Sequence, residues 1–404
     1  MEQTFLKAIK IEKVRHLKNI IIPLNESMRK HLILTGRNGS GKTSVIEALV
    51  RHFEYVLGDF YTRDQIEEMI VLNKRKLSNG SEDKVRVNQS LNFWENRLLH
   101  WTEGAITDCT SFSDLREKYA EGRFVLAYYK ADRFTKVETS KSIEKVELSQ
   151  QYKLNDSPGA KLVKYMVDLK ATQAFAQQKM DHIRVSEIEK WFLRFEGILK
   201  KIFDDPSLRL DFDIDNFTFR IIQANRDPFD FNTMSSGYSA VFKIINDLIM
   251  RMEKHKTTDM EGIALIDEID THLHLELQRT ILPFLTELFP NIQFIVTTHS
   301  PFILNSVDNA VIFDLETRTL VENGLKNYPY DGIVESYFNT DHLSTELRDK
   351  LNRYKTLAEK SELTDRDWAE IAELECTLDE IPDFLSPKIA EEYNRLQLEL
   401  SNRR

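Results

Sequence analysis

The chain has 404 residues, 41% hydrophobic and 30% charged, with a formal net charge of −10. That length points to two or three lobes and a core large enough to need no disulfide or metal staple. The two cysteines, Cys109 and Cys376, belong to no Cys-x-x-Cys or Cys/His cluster, which excludes a zinc ribbon or a disulfide scaffold. The acidic balance excludes a wholly basic nucleic-acid coat, although local patches can still bind phosphate. No apolar run approaches the roughly 18 residues of a membrane span, and residues 1–10 lack the apolar stretch of a signal peptide. A cytoplasmic protein with no membrane contact is the expectation.

In chain order, residues 5–24 predict two alternating strands around residues 13–18. Leu32, Ile33 and Leu34 then form a short apolar strand. Residues 43–56 follow as a helix with Val45, Ile46, Ala48, Leu49, Phe53 and Val56 as its apolar set. Between strand and helix, Gly36-x4-Gly41-Lys42-Thr43 fits the phosphate-loop pattern without departure. Gly36, Gly39 and Gly41 let the backbone curl so that its N–H groups face phosphates. The candidate nucleotide-binding stretch is Gly36, Arg37, Asn38, Gly39, Ser40, Gly41, Lys42, Thr43 and Ser44. The helix N-terminus adds partial positive charge. Lys42 is expected to reach the β- and γ-phosphates of ATP, and the Thr43 hydroxyl to bind Mg²⁺.

Residues 59–110 read as irregular and polar, with Trp94 and Trp101, and Asn79-Gly80 marks a turn. An apolar strand over 124–127 leads into Tyr128-Tyr-Lys-Ala-Asp-Arg133. Ser157-Pro-Gly159 is a second turn. Helices are expected over 161–180 and 186–203, the later one opened by the capping box Ser186-x-x-Glu189. Its stripe of Ile188, Phe192, Phe195, Leu199 and Ile202 has helical spacing and reads as packing. Residues 208–221 alternate with period two, which makes a strand hairpin with Asp211, Asp213 and Asp215 on the solvent face, not a nuclease centre. A modest excess of Lys and Arg over residues 122–201 fits a nucleic-acid partner and a solvated helical surface equally well.

Met234-Ser235-Ser236-Gly237-Tyr238 precedes an apolar-rich helix over 239–252, so Ser and Gly stand where a helix N-terminus makes an anion site. Residues 262–268 form an apolar strand ending in Asp267-Glu268. With a phosphate loop present, Asp267 is expected to hold the Mg²⁺ shell and Glu268 to polarise the attacking water. Residues 291–299 give another buried strand, ending at His299, which can contact the γ-phosphate. His272-x-His274 with His299 invites a zinc reading. No third ligand set with Cys or carboxylate spacing follows, so no metal beyond Mg²⁺ is expected. From residue 341 the chain turns acidic and reads as helices. Leu343, Leu347, Leu351, Tyr354 and Leu357 share a face, Thr364-x-x-Asp367 caps the next helix, and Ser386-Pro387 opens the last. Such helices either pack on the head or form a protomer or partner contact.

The order phosphate loop, Ser-Ser-Gly helix, Asp-Glu strand and Thr-Thr-His-Ser strand resembles the ABC-type ATPases of the SMC, RecF and OLD-nuclease class. The resemblance covers residues 5–60 and 205–320 with strong motifs. It implies an α/β P-loop NTPase head with an antiparallel β lobe, a helical lid and a helical tail. The expected division is 1–58 and 205–325 for the ATPase core, 59–204 for the lid insertion and 326–404 for the tail. In that class Ser235, Ser236 and Gly237 correspond to the signature that binds ATP held by the other protomer's Lys42. A homodimer or higher homo-oligomer follows, with Glu268, His299 and Lys42 as the catalytic group. Residues 270–274 occupy the D-loop position. Arg133 resembles the Arg of the Arg-bearing segment of OLD-like ATPases, with a surface salt bridge as the competing reading, while Gln65, Gln89 and Gln151 compete as the Q-loop glutamine. OLD nucleases append a TOPRIM domain with an Asp-x-Asp. Its only match in the tail, Asp365-Arg-Asp367, follows polar residues and reads as a helix first turn, so no DNA cleavage by this chain is expected. Short heads of this kind resemble the ATPase subunits of bacterial anti-phage systems such as Septu and PARIS. That implies a sensor controlling a separate nuclease or toxin. The alternative is a RecF-like ATP-gated DNA-binding protein of DNA repair.

Overall fold

The computed structural model describes residues 3–58, 61, 63–79, 83–132, 137–138, 142–224, 226–326, 345–360, 362–379 and 387–401. The chain divides into two units, Met1–Tyr330 and Asp331–Arg404.

The first unit opens with β1 (Leu6–Val14) and β2 (Leu17–Pro23), paired antiparallel from Ala8↔Pro23 to Val14↔Leu17. Their alternating sequence becomes alternating burial, with Leu6, Ile9, Ile11, Ile20 and Ile22 inside and Lys13 and Lys18 in water. Next come β3 (His31–Thr35), α1 (Lys42–Gly58), α2 (Arg63–Ser78), α3 (Lys84–Thr102), β4 (Ala105–Cys109), α4 (Phe112–Ala120) and β5 (Phe124–Tyr129). Helices α5 (Leu162–Gln178) and α6 (His182–Ile202) lead to the hairpin β6 (Arg209–Asp213) and β7 (Thr218–Ile222). The remainder alternates: α7 (Ser236–Met252), β8 (Glu261–Ile266), α8 (Leu275–Leu288), β9 (Ile292–Thr297), α9 (Pro301–Leu304), β10 (Ala310–Asp314) and β11 (Leu320–Val321).

Two sheets organise this unit. The larger has the order β11-β10-β3-β9-β8-β5 and is parallel except for β11. Strands β3, β9 and β10 are buried along their whole length, as near-continuous apolar runs in a parallel sheet require. The smaller sheet, β2-β1-β4, is antiparallel. Gln293, a fully buried polar residue of β9, joins the two. Its Oε1 accepts from Leu6 N at 2.7 Å, and its Nε2 donates to the carbonyls of Leu6 at 3.1 Å and Lys30 at 2.7 Å. One side chain thus satisfies backbone groups of β1 and of the segment that leads into β3.

The expected lid over 59–204 needs correcting. β4 lies within it and pairs with β1, Ile9 opposite Thr107, while β5 pairs with β8, Tyr128 opposite Leu265. Both strands complete the core sheets. The described part of residues 59–110 is also not irregular, because α2 and α3 pack as a pair. Ile66, Ile70, Trp94 and Trp101 cluster there with Val56 of α1. α6 starts earlier than expected. Asp181 Oδ1 accepts from Arg184 N at 3.0 Å, so Asp181 is the cap and Ser186 lies inside the helix. The β6–β7 hairpin forms as read. Asp211 and Asp215 are exposed, and Asp213 Oδ1 holds the turn by accepting from Asp215 N and Asn216 N, each at 3.1 Å. Gly80 and Arg133 lie outside the described residues. No helix among the described residues is long and apolar enough to cross a membrane.

The second unit contains helices Thr345–Ala358, Asp365–Leu378 and Pro387–Ser401. They bury their apolar faces on one another around Leu351, Tyr354, Leu357, Ile371, Leu378 and Leu396. Thr364 and Asp367 form the reciprocal capping box, so Asp365-Arg-Asp367 is indeed a helix first turn. Leu343 and Ser386 lie outside the described residues.

Candidate nucleotide site

Parallel register brings the strand ends together. Thr35 of β3 stands opposite Asp314, Leu34 opposite Thr297, and Ile266 opposite both Val296 and Tyr129. The segments that follow β3, β8 and β9, carrying residues 36–43, 267–274 and 298–300, therefore leave the same edge of the sheet. Open parallel sheets bind ligands at this edge.

The loop after β3 is wound by glycine. Gly36 has φ +131 and Gly41 φ +101, in the region that favours residues without a Cβ. A Cβ on Gly36 would meet Ser40 Oγ at 2.8 Å, and one on Gly41 would meet Leu17 Cδ1 at 2.9 Å. The β lobe thus presses directly on the loop. Arg37, Asn38, Gly39 and Thr43 are exposed, whereas Lys42 and Ser44 are buried. Lys42 Nζ folds back and donates to the carbonyls of Gly36 at 2.7 Å and Arg37 at 3.2 Å. Burial lowers its pKa, while Glu268, Asp270, Asp267 and Asp314 oppose that shift. Ser40 Oγ is buried and finds no hydrogen-bond partner among the described residues.

Under the loop runs a chain of hydroxyls and carboxylates. Thr43 Oγ1 donates to Asp267 Oδ1 at 3.3 Å, and Thr297 Oγ1 donates to the same oxygen at 2.6 Å. Thr297 Oγ1 in turn accepts from the backbone N–H of Glu268 at 2.7 Å. That bond holds Glu268 at φ +45, a left-handed conformation uncommon for a non-glycine residue. Thr271 Oγ1 donates to Glu268 Oε2 at 3.0 Å. Alongside, Thr298 Oγ1 donates to Asp270 Oδ1 at 2.5 Å, and Ser300 Oγ donates to Gln278 Oε1 at 2.6 Å. Half-buried His299 sits between these two chains in sequence. Burial lowers its pKa, Lys42 lowers it further, and Asp270, Glu268 and Asp267 oppose.

The signature residues stand apart from the loop. Ser235 caps α7 without a side-chain cap bond, and Ser235 and Ser236 are both exposed. Among the described residues, no hydrogen bond joins either serine to the phosphate loop. Gly237 is buried because a Cβ there would meet the carbonyl of His272 at 2.9 Å. The rings of Tyr238 and His274 are 6.0 Å apart. So α7 packs on the 270–274 segment, and its serines face outward. His272, His274 and His299 belong to no metal-holding group of three or more His, Cys, Asp or Glu among the described residues.

Several residues of this edge escaped the sequence reading. Thr297 is one, because its two bonds depend on strand register. Another group is Tyr129, Asp247 and Arg251. Tyr129 Oη donates to Asp247 Oδ2 at 2.8 Å, Arg251 Nε donates to it at 2.7 Å, and Tyr129's carbonyl accepts from Asp267 N at 2.8 Å. A buried Asp at i and Arg at i+4 on the helix was the available signal. Gln65 and Gln89 lie exposed on α2 and α3, and Gln151 lies exposed in the loop before α5.

Residues 32–305 match the family model described as "AAA domain, putative AbiEii toxin, Type IV TA system". The "Septu protein PtuA" of Bacillus mycoides (strain KBAB4) is 31% identical over 156 residues, 35% of this chain and 21% of that protein. The "Retron Ec83 probable ATPase" of Escherichia coli is 37% identical over 111 residues, 26% of this chain and 19% of that protein. The matched part thus spans about a fifth of these two relatives. The "Septu protein PtuA" of Bacillus thuringiensis is 22% identical over 396 residues, 83% of this chain and 84% of that one. A solved Smc head bound to the C-winged helix domain of ScpA aligns with a TM-score of 0.40 and 14% identity, over 80% of this chain and 100% of that one.

Proposed function

The chain belongs to the family described as AAA domain, putative AbiEii toxin, Type IV TA system, and we propose that it is a Mg²⁺-dependent ATPase of an anti-phage defence system. The observation that carries the chemistry is the Thr43–Asp267–Thr297–Glu268 chain beneath a glycine-wound loop. Relatives named as Septu proteins and as a retron ATPase support the setting.

The residues fit a nucleotide and its metal. Ser40 Oγ, buried and unpartnered among the described residues, lies in the loop where a phosphate oxygen can accept from it. Lys42 exchanges the carbonyls of Gly36 and Arg37 for phosphate oxygens. Thr43 Oγ1 and Asp267 Oδ1 offer hard oxygen donors from two elements and would hold Mg²⁺. Bound there, Mg²⁺ supplies charge neutralisation at the phosphates. Glu268, fixed by Thr297 and Thr271, orients the attacking water and takes up its proton. His299, kept neutral by burial and by Lys42, donates or accepts at the γ-phosphate without adding charge.

A second copy completes the enclosure. Ser235, Ser236 and Gly237 of one protomer face the nucleotide on Lys42 of its partner, and hydrolysis releases the pair. This cycle gates a separate effector, a nuclease or toxin. Phosphate release by the purified protein tests the enzymatic half. Turnover should require Mg²⁺ and vanish in Lys42→Ala, and equal turnover in that variant would end the reading. For the defence half, host cells carrying Glu268→Gln should lose phage protection. Undiminished protection would remove the ATPase from that role.

A further inference from the structure

The hairpin of β6 and β7 keeps one edge open. Leu210 stands opposite Ile221, and Phe212 opposite Phe219. Ile221 turns its N–H and carbonyl away from β6, onto Phe229, at 2.7 and 3.2 Å. Leu210 and Ile221 are therefore a non-hydrogen-bonded pair, and by the period of two so are Phe212 and Phe219. The backbone groups of Leu210 and Phe212 accordingly point out of the hairpin. Glu196 Oε2 of α6 accepts from Leu210 N at 3.0 Å. The Leu210 carbonyl and both backbone groups of Phe212 have no hydrogen-bond partner among the described residues.

A groove of about 660 Å³ runs along this edge, with α6 as its far wall. Its floor is aromatic. Phe192 of α6 stacks on Phe219 with ring centroids 5.7 Å apart, and Phe212 meets Phe219 at 4.8 Å. Leu193 and Ile214 also line it and are 69% and 72% exposed. Large apolar side chains thus stand in water beside unpaired backbone groups. Lys170 lies over the Phe192 ring at 4.2 Å, and Glu196 is paired with Lys200 at 2.8 Å. The exposed charges of the lining are Glu189 and Asp211, both acidic.

We propose that this groove takes an extended segment of a partner protein, added to β6 as a further strand, with apolar residues alternating with Lys or Arg. Each feature of the groove selects one feature of that segment. Outward N–H and carbonyl groups on a strand edge are matched by another extended backbone, whereas a helix spends its own groups internally. Side chains of the added strand alternate between the faces of the sheet. One set meets Phe192 and Leu193 of α6, on the face of Phe212, and must be apolar. The other set shares its face with Asp211, where a cation is favoured. A second copy of this chain fits worse, because pairing β6 with itself would set two Asp211 carboxylates on one small sheet face. The inference does not depend on the ATPase reading.

An array of randomised octapeptides probed with the full chain tests it. Peptides that bind should share the alternation of apolar residues with Lys or Arg. N-methylation of alternate amides in the strongest of them should abolish binding in one register and spare it in the other. Binding should weaken by about tenfold or more against Leu193→Arg and against Asp211→Lys. Both positions are exposed, and melting curves show that each variant folds. An array without that pattern, binding that ignores both substitutions, or equal loss in both methylation registers would overturn the proposal. So would a nucleotide-free dimer of the unsubstituted chain that Leu193→Arg dissolves, because the groove would then hold a second copy.

Discussion

The two surfaces that would enclose a nucleotide differ in how far the chain finishes them. On the phosphate-loop side, Thr43, Asp267, Thr297, Glu268 and Thr271 are bonded to one another, with Asp267 and Thr297 buried. On the signature side, Ser235 and Ser236 are exposed, and Ser235 makes no cap bond on its own helix. Helix starts normally use such hydroxyls to satisfy their own N–H groups. The contrast teaches that the loop side is bonded within one chain, whereas Ser235 and Ser236 are left exposed, as the proposed contact with a second copy requires.

Substitutions can break that contrast, beginning with the largest effect. Glu268→Gln should keep ATP binding and lose turnover by about 100- to 1,000-fold, on the scale of one lost catalytic group. Single-turnover and binding assays distinguish this from a folding defect. Ser236→Arg should leave ATP binding by isolated chains intact and abolish the dependence of turnover on protein concentration. Turnover per chain that does not change with concentration in the unsubstituted protein would erase the difference between the two sides. Thr297→Val keeps volume but removes both hydroxyl bonds, each worth about 0.5–1.5 kcal/mol, and releases Glu268 from its left-handed backbone. Activity should drop by about tenfold, and a melting scan should show a loss of a few degrees.

The smallest effect sharpens the role of the fold beneath the site. His31 and His52 are buried, and burial lowers both to about 4. His31 Nδ1 accepts from Phe294 N at 3.1 Å and His52 Nε2 accepts from Thr107 N at 3.3 Å, so each is held neutral. Their folded pKa lies below the unfolded value of about 6.5, so the unfolded chain binds more protons between the two. Stability is therefore present above about pH 6.5 and is lost as pH falls towards about 4, by about 1.4 kcal/mol per unit per group. His52→Gln should flatten the melting temperature between pH 6.5 and 5. An unchanged slope would remove His52 from this account.

The legibility of the sequence follows physical lines. Glycine spacing at 36, 39 and 41 and the apolar runs into Asp267 and His299 encode backbone conformation locally, so the loop and its neighbouring strands are readable. α2 and α3 were not, because their buried faces are narrow: Ile66, Ile70 and Asn73 on one, Trp94 and Trp101 on the other. β5 was read as a strand but assigned to the lid, since its partner β8 lies more than a hundred residues away and nothing local announces it. The capping box read at Ser186 is not used, because Asp181 Oδ1 accepts from Arg184 N and starts α6 earlier, a bond that no local pattern announces. Thr297 was visible as a residue and invisible as a clamp, because its partners are set by the register of β9 against β8.

The central claim is that ATP brings two chains together across Ser235 to Gly237. Sedimentation velocity of Glu268→Gln with Mg²⁺ and either ATP or ADP tests it most directly. The account predicts association with ATP to a dimer or larger closed assembly, dissociation with ADP, and no association with ATP when Ser236→Arg is added. A sedimentation coefficient that ignores the nucleotide, or assembly that survives Ser236→Arg, would contradict it.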